Sequence, residues 1–109
     1  MSTYIQAQTT VANETDALVI AGQVVKKKLA GCVQISKCMS VYSWQGEIHQ
    51  EEEYLCTMKS HSSLFNRLKE TLKQIHPYDE PEIIATPIIL GSATYLDWLA
   101  GELQNVDAA

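Results

Sequence analysis

Residues 32–59 limit the possible folds more than any other stretch. From Cys32 to Trp44, Val33, Ile35, Met39 and Val41 share one parity, and Cys32, Gln34, Ser36, Cys38, Ser40 and Tyr42 share the other. That alternation is the period of a strand. Gln45-Gly46 is a turn signal, and Glu47 to Lys59 makes a second long strand. A hairpin with arms of this length exceeds what a small domain covers by itself. Its far half must twist out into water or be covered by another chain, and the second outcome is the expectation.

The flanking segments supply the rest of one domain. Tyr4 to Val11 reads as a strand, with Ile5, Ala7, Thr9 and Val11 on one face. Asn13 is an N-cap, with Glu14 and Asp16 in the first turn, for a helix continuing to about Leu29. Ala17, Leu18, Ile20, Ala21, Val24 and Val25 form its apolar arc. Lys28 falls inside that arc and reads as structural, its stem covering apolar surface, and Gly31 ends the helix. After N-caps among Ser60, His61, Ser62 and Ser63, a second helix runs to about Ile75, with Leu64, Leu68, Leu72 and Ile75 on one stripe. Pro77 and Pro81 exclude a helix between them.

A strand from Glu82 to Leu90 follows, apolar on both faces. Ile83, Ala85 and Ile89 can face helices, so Ile84, Ile88 and Leu90 need a second cover. Gly91 breaks the chain, Ser92 caps a short helix carrying Tyr95, Leu96, Trp98 and Leu99, and the tail from Gln104 to Ala109 frays. The order strand, helix, strand, strand, helix, strand, helix predicts an α+β, ferredoxin-like βαββαβ antiparallel sheet with an added C-terminal helix. One domain spans 1–109. Such a sheet leaves one face bare, which asks for an oligomer.

Composition removes several function classes. The net charge of −5 opposes nucleic-acid binding, and Lys26-Lys27-Lys28 is too short a basic run to reverse it. The first and third strands lack the basic-aromatic run of RNA readers on this fold. No apolar run reaches membrane-spanning length. With no secretory pattern and three cysteines that lack CxxC spacing, the expected location is the cytoplasm.

Candidate chemistry is sparse. His49, Glu51 and Glu53 share a strand face and could hold a divalent ion weakly, but a solvated acidic face is the preferred reading of the same residues. Cys32 and Cys38 lie about 20 Å apart along a strand and cannot chelate one ion within one chain. The proline turn offers His76, Asp79 and Glu82; His76 is either a metal ligand oriented by a carboxylate or a hydrogen-bonded turn residue. No nucleophile sits in a local signature and the five glycines form no phosphate loop, so nothing here indicates an enzyme.

Four blocks carry a resemblance: Leu29-Ala30-Gly31-Cys32-Val33, Val41 to Ile48 (VYSWQGEI), His76 to Ala85 (HPYDEPEIIA) and Tyr95 to Leu99 (YLDWL). In order and spacing, over about residues 4–103, the chain resembles the CutA family of divalent-cation tolerance proteins. The resemblance implies a homotrimer whose long hairpins pair with neighbours, a shape akin to the PII signalling trimers, a cytoplasmic or plant-organellar location, and a weak link to divalent ions, copper first. It points to His76 with Glu82 as metal residues, and to Tyr42, Trp44, Lys59 and Tyr78 as lining a cleft near the subunit boundary. It also implies, as an alternative, a small organic ligand in that cleft and an unidentified protein partner. Two departures weaken a dedicated copper site: Thr9-Thr10 stands where copper-binding members have a cysteine, and Ile75-His76 where some have two histidines.

Overall fold

A computed structural model describes residues 3–104 and 106. β1 (Tyr4–Val11) leads to α1 (Glu14–Lys26), β2 (Cys32–Trp44) and β3 (Glu47–His61). A 3₁₀ turn at Ser62–Leu64 then opens α2 (Phe65–Ile75), followed by β4 (Ile84–Pro87) and α3 (Ala93–Glu102). The four strands form one antiparallel sheet in the order β2-β3-β1-β4, as the ferredoxin-like reading requires.

Local chemistry explains the boundaries. Asn13 Oδ1 accepts the Asp16 N–H at 2.8 Å, and Ser92 Oγ accepts the Tyr95 N–H at 3.3 Å, so both expected caps are in place. Gln45 (φ 51°) and Gly46 (φ 82°) both take left-handed backbone, which gives the two-residue hairpin turn the twist of its flanking strands. α1 ends earlier than expected. Lys28, not Gly31, takes the left-handed stop, at φ 59°, and Leu29 N–H returns to the Val24 carbonyl at 2.9 Å. Lys28 therefore lies outside the helix. Leu18, Val19 and Val25 remain exposed on α1, while Ala17, Ile20 and Val24 are buried.

The core lies between the helices and one sheet face. Ala7, Val11, Cys56 and Met58 from the strands meet Ile20 and Val24 of α1 and Leu68 and Leu72 of α2. A smaller cluster, Leu64, Leu99 and Leu103, seats α3. Gln104 is pinned rather than frayed: its N–H donates to the Lys28 carbonyl at 3.0 Å, and Arg67 donates to its side chain at 2.6 Å. Of the rest of the expected frayed tail, residues 105 and 107–109 lie outside the described residues.

Two expectations about strands need correction. β4 pairs only over Ile84–Pro87, and Ile89, expected to face helices, is 83% exposed. The helix-free sheet face is also more polar than a greasy bare face would be, carrying Gln6, Gln8, Gln34, Thr57 and Lys59 in the paired register. The uncovered apolar surface lies elsewhere, on the core-side face of the hairpin beyond the helices. There Met39, Val41 and Ile48 are 67%, 63% and 71% exposed. The hairpin carries that surface outward along a molecule 47 Å long and 25 Å wide.

Candidate functional site

Register brings the site together. Ser40 faces Glu51 across the β2–β3 ladder, Cys38 faces Glu53, and Tyr42 faces His49, so their side chains share the helix-free face. Thr10 of β1 joins that face beside β3. The Pro77–Pro81 turn folds over it and supplies Tyr78, Asp79, Glu80 and Glu82. Between sheet and turn lies a cleft of about 570 Å³. Its walls hold three aromatic rings, Tyr42, Trp44 and Tyr78, and five carboxylates, Glu51, Glu53, Asp79, Glu80 and Glu82. No lysine, arginine or histidine lines it among the described residues.

His76 locks the turn to the sheet. Its Nε2–H donates to the Thr10 carbonyl at 3.0 Å, and its Nδ1 accepts the Tyr78 N–H at 3.1 Å. Those partners require the neutral tautomer with the proton on Nε2. The Tyr78 hydroxyl, one residue pair further on, donates to Glu53 Oε2 at 2.8 Å. Burial, then the hydrogen bond to Glu53, holds the Tyr78 phenol well above its ordinary pKa, so it remains a donor. Glu53 itself is only 6% exposed.

Burial is the main cause that lowers the His76 pKa, against smaller raising effects from the Thr10 hydrogen bond and from Asp16 and Glu53. His61 is lowered by burial as well. The sign follows directly. As pH falls below about 6.5, the unfolded chain takes up protons that the native imidazoles refuse, so stability present at neutral pH is lost from there downward. Urea unfolding at pH 7.5 and 5.5 should show that loss, at up to about 1.4 kcal/mol per pH unit for one proton. The slope should be shallower in His76→Gln.

The expected site residues divide. Tyr42, Trp44, Tyr78 and Glu82 share the cleft. Lys59 does not: it stands some ten residues along β3 from the partner of Tyr42, about 33 Å away. There its ammonium donates to Gln6 at 2.7 Å and Gln34 at 3.0 Å. His76 and Glu82 do not form a metal pair in this structure. Both ring nitrogens of His76 serve the backbone, and Glu82 accepts from Gln8 at 2.7 Å. Among the described residues no three His, Cys, Asp or Glu side chains are placed to hold a metal ion. Sequence reasoning placed Glu53 on a solvated acidic face; its burial under Tyr78 comes from the turn, and no local pattern signals it.

The hairpin tip, the proline turn and the terminal helix thus keep the fold positions that their motifs imply. Residues 5–102 match the family described as CutA1 divalent ion tolerance protein. The chain belongs to the CutA1 family. A CutA divalent-cation tolerance protein of Thermus thermophilus is 45% identical over 91 residues, covering 83% of this chain and 88% of that protein. Mouse CutA is 42% identical over 98 residues, and this chain spans about half (55%) of its length. Solved CutA1 structures agree in shape. That of T. thermophilus has a TM-score of 0.88 at 40% identity, covering 92% of this chain and 98% of its own. That of Oryza sativa has a TM-score of 0.91 at 38% identity, covering 94% and 95%. Family members are named for tolerance of divalent cations, not for a reaction. Among the described residues no helix is long and apolar enough to cross a membrane.

Proposed function

We propose that this chain serves divalent-cation tolerance as a cytoplasmic homotrimer without enzymatic chemistry, residues 1–109 forming one CutA-like domain. Its cation-facing surface is the cleft beneath the proline turn. The observation that carries this reading is the charge there: five carboxylates face a concavity that, among the described residues, no basic side chain lines. Such walls concentrate cations by their field. The carboxylates are too spread to cage an ion, and no thiolate is among them, so divalent ions, copper included, are held weakly and without strong selection. His76 acts by fixing the turn. Met39, Val41 and Ile48 favour the trimer, because exposed apolar side chains on one strand face are where a neighbouring copy gains burial.

Equilibrium dialysis against copper(II) at low ionic strength tests the assignment. Weak, salt-sensitive binding should fall in a chain carrying Glu51→Gln with Glu82→Gln, and persist in His76→Gln. A tight stoichiometric site that vanishes in His76→Gln would overturn it.

The three aromatic rings favour a second reading, a PII-like trimer that takes a small organic ligand in the same cleft and signals to a protein partner. Bare carboxylates would suffice for metal ions alone.

A further inference from the structure

We propose that the cleft is a receptor for a small organic cation bearing N–H donors, a guanidinium or alkylammonium compound; this rests on the ligand-cleft reading and names its ligand class. Two independent observations meet here. The first is Glu53. The residue is 6% exposed, yet among the described residues the ion pairs are Lys37 with Glu52 and His49 with Glu51, and none reaches Glu53. Oε2 accepts the Tyr78 hydroxyl, while Oε1 accepts no hydrogen bond among the described residues. That free oxygen is not sealed off, since the buried side-chain polar atom left without a partner among the described residues is Thr9 Oγ1, so Oε1 stays open to a donor entering the cleft. Because Glu53 lines the cleft, the missing partner can arrive from solution.

The second observation is aromatic. Tyr42, Trp44 and Tyr78 stand in the same walls, and aromatic faces attract cations whose charge is spread over a large, weakly hydrated group. A planar guanidinium stacks on such rings and still aims its N–H groups at a carboxylate. A metal ion needs convergent ligands, and these carboxylates do not converge. Charge without convergence, aromatic walls and about 570 Å³ of room together select a polyatomic cation. An anion would meet five carboxylates and, among the described residues, no basic group in the lining.

The test uses propylguanidinium and its neutral, isosteric counterpart propylurea, titrated against the intact protein by calorimetry at low ionic strength. Propylguanidinium should bind saturably, and propylurea about tenfold more weakly or worse. Trp44→Ala, at the exposed end of β2, and Glu53→Gln should each cost a similar factor. Equal binding of the two probes, lost in Trp44→Ala, would overturn the cation class while leaving the ligand cleft standing. Saturable binding that neither variant changes would overturn the location. If neither probe binds, the class falls; the cleft reading falls with it only if phenol, a neutral aromatic able to stack on the three rings, also fails to bind.

Discussion

His76→Ala is expected to cost about 2–4 kcal/mol of stability, far more than an exposed turn histidine would. Two effects add. The Thr10 carbonyl and the Tyr78 N–H lose their partner, and each unmade bond in a buried place costs about 1–3 kcal/mol. The ring is also 92% removed from solvent, so its loss opens space beneath the turn. Urea unfolding at pH 7.5 measures the sum. The turn should loosen with it, so Tyr78 would no longer be held over Glu53. A change below 0.5 kcal/mol would mean that the turn is anchored by other contacts and that His76 is not what positions the cleft. Tyr78→Phe, which keeps the ring and removes only the bond to Glu53, should cost about 1 kcal/mol.

Glutamate at Val41 and Ile48 together is expected to convert the proposed trimer to single chains. Both side chains lie on the core-side face of the hairpin, beyond the reach of α1 and α2, and both are more than 60% exposed in one chain. In an isolated subunit two glutamates there would be harmless, because water already surrounds the site. In an interface each would bury an unpaired charge, at an effective cost of several kcal/mol. The core residues Met58, Cys56, Leu68 and Leu72 lie at the other end of the sheet, so the helical and strand content by circular dichroism should persist. An oligomer of undiminished mass in the double variant would show that this face is not the contact.

Much of the fold is written in local pattern. Tyr4–Val11 alternates as far as Thr9, Cys32–Trp44 keeps its apolar parity apart from Lys37 and Ser43, Asn13 and Ser92 cap their helices, and Gln45-Gly46 suits a tight turn. The sequence is less explicit where tertiary context overrides propensity. A lysine rarely takes left-handed backbone, so nothing marked Lys28 as the end of α1, and the later glycine drew the boundary instead. The pairing of β4 with β1 ends one residue past Pro87, where the Ile88 N–H still donates to the Tyr4 carbonyl at 2.9 Å, although the apolar run continues to Leu90.

Of the cleft residues that the family resemblance supplied, Tyr42, Trp44 and Tyr78 line one concavity and Lys59 does not, while Glu82, expected beside a metal with His76, lines that concavity instead. The choice between ligand and turn residue for His76 could not be made from residue types. It depends on where two ring nitrogens point, which long-range packing against Thr10 decides. The burial of Glu53 is hidden for the same reason, since strand parity puts it on one face with His49 and Glu51 but not under the cover that Tyr78 places on it.

In the proposed trimer, two further copies of the chain cover the apolar face of the long hairpin. Sedimentation equilibrium of the wild-type protein across a dilution series tests it most directly. A mass of three times the 12.1 kDa chain, constant over the series, is the predicted result. A stably folded species of 12.1 kDa throughout would contradict it.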